Sequence, residues 1–428
     1  SGTGGGVVEG IGCLAQGVRV LQRARASGVG HWSEQSIPTR RTMFSALLLS
    51  AAMSTASQSL VGLRTAIVGG GPAGLLLAHR LLGSGASVRL FEARQDPRVD
   101  GVQEGRAYAL GLGLRGRTAI RAVDETLWEK VREQGYGSDR FTLHLPFGAF
   151  DLRKPDGRTE PSVLIYQTDL CSAMLNELEL RYKDTGRLTM SFNAPLEANA
   201  VDPVGGTLST DRFDLIAGCD GVQSAVRGSM VAAAADLPVE TTKLPGSLKV
   251  VRLKKMPAAL SSNAVHLVPG AGGVAAFLEP TAQGVCALVS WRGATSSGGS
   301  GGDGASAAPV DPAAITDAEE ATQLLASSFP TLTDAFNLTD VGEQFVAQRV
   351  STASTVKCAS YHLGKACLLG DAAHSTGGAS GQGCNSALQD AIVLAECLER
   401  FKGDVAPAIV AYSRERVPEG HAYAHNGI

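Results

Sequence analysis

Gly69, Gly71 and Gly74 stand in the stretch "IVGGGPAG", spaced so that the backbone is bare where an apolar run gives way to a helical pattern. Glycines so placed let a chain turn tightly and approach a pyrophosphate, whose charge then meets the amide groups and positive dipole of the helix start. Glu92 closes the next apolar run, where a carboxylate can accept both hydroxyls of an adenosine ribose. Read more plainly, the same residues are a tight turn followed by a surface Glu. Two further apolar runs end in an acid. "DLIAGCDGVQSAVR" delivers Asp220 and Gly221 ahead of Ser224 and Arg227, and "LLGDAAHSTGGASGQGCN" delivers Asp371 and His374 ahead of Gly381, Gln382, Gly383 and Asn385. Taken alone, the first is a strand with an Asx-type turn. With a dinucleotide turn and a second strand-acid-glycine ending in the same chain, that plainer reading loses ground.

Such residues need a frame, and the periodicity from Arg64 onward supplies one. "TAIVGG" reads as a short strand, "GPAGLLLAHRLLGSG" as a helix opened by glycine, and "SVRLFEAR" as a second strand. That is a βαβ unit, which requires a parallel sheet. Helices are expected from about Gly116 to Gln134, Thr168 to Lys183, Asp317 to Ser328 and Cys384 to Arg400. Between Thr241 and Trp291 the runs "SLKVVRLKKM", "AVHLVPG", "GVAAFLEP" and "GVCALVSWR" alternate as antiparallel strands do. The tract "GATSSGGSGGDGASAAPVDPAA" has no apolar period and reads as a flexible surface insertion. "GLGLRG" also spells GxGxxG, but no βαβ unit with a terminal acid follows it, so it is rejected as a second nucleotide site. No separate nicotinamide domain is then expected. No internal repeat is evident.

Composition narrows the classes. A chain of 428 residues, 44% hydrophobic and 18% charged, is globular and long enough for two or three domains' worth of core. With a net charge of -3 and scattered Lys and Arg, a nucleic-acid partner has no electrostatic support. Eight cysteines lie far apart without a CxxC pair, which fits reduced thiols and core packing rather than a metal site or a disulfide framework. Ser1 to Gln58 is rich in Gly, Ala, Ser and Arg and poor in acids, which resembles an organellar (mitochondrial or plastid) transit segment; the alternative is a cytoplasmic protein. Its apolar part, Phe44 to Met53, is about half the length that crosses a bilayer, so membrane association gets no support from a spanning segment.

Taken together, GxGxxG with Glu92, "DG" with Ser224 and Arg227, and "GDAAH...GQGxN" with Asp371 resemble the three fingerprints of class A FAD-dependent monooxygenases, whose fold is that of p-hydroxybenzoate hydroxylase. Within that class, "FEARQDPR...GRAYALGLGLRGRTAI" and "VKCASYHLGKACLLGDAAH" are most similar to the kynurenine 3-monooxygenase family. The resemblance implies an α/β fold: a Rossmann-like FAD-binding domain with a parallel sheet, interleaved with an antiparallel-sheet substrate domain and followed by a C-terminal helix. The expected division is a leader over 1–60, an FAD-binding domain over 61–140, 160–235 and 345–400, and a substrate domain over 141–159 and 236–344 with its flexible insertion at 293–313. A C-terminal helical segment over 401–428 completes it.

Carried over residue by residue, the resemblance implies cofactor binding by Gly69, Gly71, Pro72, Ala73, Gly74, Glu92, Ala93, Arg94, Gln167, Asp220, Gly221, Asp371, Gly381, Gln382, Gly383 and Asn385. Glu92 would hold the adenosine ribose and Asp371 the ribityl hydroxyls. Asp220 would lie near the pyrophosphate and the nicotinamide path, and Gln167 stands where many members have Arg against the ribityl chain. Gly381 to Gly383 would bring a helix N-terminus to the flavin N1 and C2 carbonyl, where a positive dipole stabilises the anionic reduced ring. Arg106 matches the arginine that takes a substrate carboxylate, a pairing suited to a planar guanidinium; the plainer reading is a solvated surface Arg. His374 reads as a packed or capping residue, with no catalytic role. The implied activity uses FAD, NAD(P)H and O2, through a flavin C4a-hydroperoxide, to hydroxylate an aromatic or related apolar substrate bearing a carboxylate. No metal is implied. An isoprenoid epoxidase of the same class and a flavin-binding pseudoenzyme are the alternatives.

Two departures from that family stand out. After "GDAAH" its members carry a Pro and two Phe over the flavin, whereas this chain reads Ser375-Thr376-Gly377-Gly378-Ala379-Ser380. Small flexible residues there imply a larger pocket with less aromatic packing, hence a bulkier or different substrate. The family also continues past the position of Ile428 with a further helical segment, so loss or truncation of that segment is expected.

Overall fold

The computed structural model describes residues 59–99, 108–234, 236–292, 311–378 and 381–426. Arg106, Ala379, Ser380, residues 1–58 of the expected leader and most of the Gly/Ser insertion lie outside the described residues. The described residues open with β1 (Arg64–Val68), α1 (Pro72–Gly83) and β2 (Ser87–Phe91). Four of the five β1 residues are buried, as befits a strand covered on both faces. Pro72 sits in the first turn of α1, where its missing N–H costs nothing, and the Leu-rich helix is buried along almost its whole length.

Next come β3 (Ala109–Leu112), α2 (Leu114–Val123) and α3 (Glu125–Glu133). One helix was expected across this span, and the structure corrects it: Asp124 takes an extended conformation and its carboxylate accepts from the N–H groups of Thr126 (2.5 Å) and Leu127 (3.3 Å). A carboxylate serves better as an N-cap than inside a helix, and Arg181 holds it at 2.6 Å. The chain continues through β4 (Tyr136–Ser138), β5 (Arg140–Leu145), β6 (Gly148–Arg153), β7 (Ser162–Tyr166) and α4 (Gln167–Tyr182). Because β3 pairs antiparallel with β7, the "GLGLRG" turn belongs to no βαβ unit, which agrees with its rejection as a nucleotide turn.

Beyond α4 lie β8 (Leu188–Ser191), a small meander of β9 (Val201–Asp202), β10 (Thr207–Leu208) and β11 (Asp211–Arg212), then β12 (Leu215–Gly218) and α5 (Ala225–Ala233). β13 (Val239–Lys243) precedes the four strands read from the alternating middle: β14 (Ser247–Leu253), β15 (Ala264–Pro269), β16 (Val274–Thr281) and β17 (Gly284–Trp291). Helices α6 (Ala318–Ser328), α7 (Thr333–Phe336) and α8 (Thr339–Ala347) follow, and Asp317 caps α6 at the start expected for it. The remainder is β18 (Ser354–Cys358), β19 (His362–Leu363), β20 (Ala366–Leu368), α9 (Asp371–His374), α10 (Gly383–Arg400) and α11 (Val405–Asn426).

Two six-stranded sheets organise these elements. The first runs β19-β20-β12-β1-β2-β8 and is parallel except for β19. The second runs β14-β17-β16-β15-β5-β6 and is antiparallel except where β15 meets β5. One face of the second sheet, with Leu278, Val285, Ala287 and Trp291, builds a core with α6–α8. On the opposite face Val250 and Cys286 pack against Ala109 and Tyr166, from β3 and β7. All seven described cysteines are free thiols. Among the described residues no helix is long and apolar enough to cross a membrane.

Candidate functional site

Register in the parallel sheet brings the three motifs to one edge. Val68 stands opposite Phe91 on one side and Gly218 on the other, and Gly218 stands opposite Leu368. The pairing continues past the strand ends, with Gly69 N donating to Phe91 O, Cys219 N to Val68 O and Leu369 N to Gly218 O. The segments carrying Gly69, Glu92, Asp220 and Asp371 therefore leave the sheet side by side at its carboxyl edge, where open α/β sheets bind ligands.

At the first turn a Cβ on Gly69 would stand 2.3 Å from Cys219 O, and one on Gly74 would stand 2.1 Å from Gly69 O. Neither position admits a side chain. Gly71 differs, since a Cβ there would meet nothing within 4 Å. It opens α1 without a side-chain cap, with Pro72 and Ala73 following, so bare backbone at a helix start faces free space. That cradle fits a phosphate. Glu92 accepts from Gly70 N through Oε2 at 2.7 Å and from Arg94 N through Oε1 at 2.9 Å. Its carboxylate thus shapes the glycine turn, while Ala93 and Arg94 beside it are exposed.

Asp220 departs from the Asx-type turn of the plainer reading, since its carboxylate bonds N–H groups five and six residues on rather than two. Its Oδ2 accepts from Ala225 N at 2.7 Å and Val226 N at 3.2 Å, opening α5, and Ser224 Oγ adds Arg227 N at 2.9 Å. Oδ1 is buried and has no hydrogen-bond partner among the described residues, and burial raises the pKa of the carboxyl. Gly221, in the left-handed region, turns the chain beside it. Arg227 ties this motif to the next, donating to Val222 O at 2.5 Å and to Ala372 O at 2.9 Å, directly after Asp371.

Asp371 and the glycine helix meet as well. A Cβ on Gly383 would stand 3.8 Å from Asp371 Oδ1 and 3.9 Å from Thr376 Oγ1. Gly381 adopts a positive φ, and Gln382 occupies the N-cap of α10. The intervening Ser375 and Thr376 are fixed to β18 through Val356 N to Ser375 O and a bridge from Thr355 to Thr376. Gln167 opens α4, its N–H donating to Tyr108 O at 3.3 Å. Asn385 acts differently from a ligand contact: it is 1% exposed, and its Oδ1 accepts from Gly113 N and Gly116 N at 2.9 and 3.2 Å while Nδ2 donates to Gly111 O at 2.9 Å. It pins the "GLGLRG" turn to the start of α10.

Behind Asp371 lies a network that sequence reasoning missed. His374 Nε2 and Arg416 Nε each meet Asp390 at 2.6 Å, one on each carboxylate oxygen, and Gly370 N donates to Asp390 Oδ2 at 2.9 Å. His374 also stacks on Tyr361. Burial opposes charge on the imidazole, but Asp390 outweighs it and holds His374 above its usual pKa. For Asp390, burial is likewise overcome by His374 and Arg416, and its carboxyl sits below the usual range. The packed role expected of His374 holds, with a buried charge cluster as its reason. Polar Asn385, Ser386 and Asp390 on the buried face of an otherwise apolar helix were the available signal.

Residues 63–426 match the model of a family described as FAD binding domain. Among curated proteins, a kynurenine 3-monooxygenase of Salinispora arenicola (strain CNS-205) is 30% identical over 381 residues, covering 83% of this chain and 76% of that one. One of Anopheles gambiae is 28% identical over 372 residues, covering 84% and 72%. Among solved structures, a tetrameric 2-methyl-3-hydroxypyridine-5-carboxylic acid oxygenase aligns with a TM-score of 0.63 at 21% identity over 85% of this chain and 92% of that one. Klebsiella pneumoniae HpxO, solved with FAD and uric acid, aligns with a TM-score of 0.61 at 18% identity over 85% and 88%.

Proposed function

Because the chain belongs to the FAD binding domain family, it is an FAD-dependent monooxygenase, and we propose that it hydroxylates an aromatic substrate bearing a carboxylate, with NAD(P)H and O2 as co-substrates. The observation that carries this reading is the alignment of the Gly69, Asp220 and Asp371 turns on one sheet edge. In it, Gly69, Gly71 and Gly74 leave room for the pyrophosphate of FAD, and Glu92 takes the adenosine ribose. Asp371 would take the ribityl chain, and the start of α10 at Gly381 to Gly383 would offer its backbone N–H groups to the flavin. Bound FAD supplies electron transfer from NAD(P)H and activation of O2. The protein supplies orientation, a positive helix end and exclusion of water.

Arg106 is the proposed carboxylate clamp, resting on its motif position. The interleaved division into an FAD-binding and a substrate domain, and an organellar location suggested by the acid-poor first residues, belong to the same proposal. Kynurenine is the first substrate to test, since curated relatives carry its name. The experiment is reconstitution with FAD, followed by stopped-flow NAD(P)H oxidation with product analysis against aromatic carboxylates. Substrate-stimulated oxidation with a hydroxylated product is expected, and Arg106→Ala should raise KM at least tenfold for carboxylated substrates alone. Protein that retains no yellow flavin sinks the proposal.

A further inference from the structure

On the face of the antiparallel sheet that turns away from α6–α8, three polar residues stand in one row. Cys286 on β17 is opposite Glu279 on β16 and Arg252 on β14. Tyr166, at the end of β7, stacks under Arg252 with the guanidinium carbon 4.4 Å from the ring centroid, and Ala109 N donates to Cys286 Sγ at 3.3 Å. Ala109 begins β3, the strand that runs into the turn pinned by Asn385 at the start of α10. The row thus lies on the sheet face that packs against β3 and β7, the strands nearest the cofactor-side turns.

Glu279 is the anomaly in it. Its Oε2 is shut off from solvent and has no hydrogen-bond partner among the described residues. A buried carboxylate without a hydrogen-bond partner is costly when charged, and proteins tolerate it by keeping the group neutral until a cation arrives. Arg252 lies over Tyr166 and acts on Asp169. A ligand that brings its own positive charge would complete the site, whereas a neutral ligand would leave the carboxyl protonated. We propose that Glu279 is a specificity-determining residue that receives a protonated amine of the substrate.

This inference rests on the monooxygenase reading for the presence of a substrate at that face. Burial alone pushes the Glu279 carboxyl up to about 8, so the free site holds a proton at neutral pH. The Cys286 thiol stands opposite it, with Arg252 beyond on β14 and the Tyr166 phenol under Arg252; burial raises the pKa of both the thiol and the phenol, so neither ionises near neutrality. Amine binding must therefore expel a proton from Glu279. Affinity should rise with pH up to about 8 and fall once the amine itself deprotonates.

The test uses FAD-loaded protein with L-kynurenine and L-tryptophan, each against its analogue lacking the α-amine. Calorimetry at pH 7 in buffers of different ionisation enthalpy counts protons released, and steady-state kinetics gives kcat/KM. For an amine-bearing probe, release of about one proton is expected, with a preference of at least about thirtyfold over the analogue. Glu279→Gln should abolish both while leaving flavin absorbance and handling of the analogue unchanged, and Glu279→Leu should do the same with the apolar packing kept. Amine binding without proton release, an unchanged preference in E279Q, or failure of both amines to bind would overturn it. Loss of flavin, or absence of NAD(P)H oxidation with every aromatic carboxylate, would instead refute the monooxygenase reading, because the calorimetric result does not depend on turnover.

Discussion

Replacing Asp390 by Asn should unsettle the strand end that carries Asp371. In the native chain this carboxylate serves three groups at once: the His374 ring and the Arg416 guanidinium at 2.6 Å each, and the Gly370 N–H at 2.9 Å. An amide of the same size keeps an acceptor but removes the charge, leaving Arg416, which is 3% exposed, without its counter-ion. Breaking one side of a buried ion pair costs about 3–5 kcal/mol. Set against a whole-protein stability of roughly 5–15 kcal/mol, that is a large fraction. Urea unfolding at pH 7 should show it as a lowered midpoint. Glu415→Gln, which cuts the exposed Arg400–Glu415 bridge between the same two helices, should cost no more than about 1 kcal/mol.

The pH dependence gives a second sign. His374 titrates above 6.5 in the folded protein, so its contribution is present below the unfolded pKa and is lost as pH rises through the folded one. Without Asp390 the buried imidazole must be neutral, and the variant should lose stability on acidification instead. The flavin-to-protein absorbance ratio should also fall, because the single amide oxygen cannot accept from both Arg416 and Gly370, the residue before Asp371. An Asp390→Asn protein destabilised by less than about 1 kcal/mol, with an unchanged pH profile, would refute this account of the cluster.

Three further outcomes are expected. Gly74→Ala drives a Cβ to within 2.1 Å of Gly69 O, so the purified protein should retain at least tenfold less flavin by absorbance, with far-UV dichroism little changed. Asn385→Ala leaves Gly113 N and Gly116 N without their acceptor and should cost about 1–3 kcal/mol in urea unfolding, together with a weaker Kd for FAD by fluorescence titration. Glu279 titrates at about 8 when folded and near 4.5 when unfolded; stability is therefore full below 4.5 and lost as pH rises through 8. Glu279→Leu should become progressively more stable than the native protein between pH 5 and 9, by on the order of 4 kcal/mol at the alkaline end, and a constant difference across that range would contradict it.

Local pattern carried much of this protein. The β1-α1-β2 unit, the run ending at Asp220, the four alternating strands from β14 to β17, the helix from about Asp317 and the start of α10 were all legible, because burial on one or both faces acts between residues close in sequence. The tight turn at Gly69 to Gly74 was legible for the same reason, since its glycines answer to a backbone only a few residues away. What the chain alone could not decide is which distant polar groups satisfy one another. The break at Asp124 depends on Arg181, Asn385 spends its amide on a turn contributed from far earlier in the chain, and Asp390 finds its partners on α9 and α11. The alignment of the three acid-bearing strand ends is likewise a fact of sheet order, β20-β12-β1-β2, which no single segment encodes. Local sequence thus decides where the chain must turn and which faces must be buried, whereas only packing determines which buried polar group has a partner and which, like Glu279, has none among the described residues.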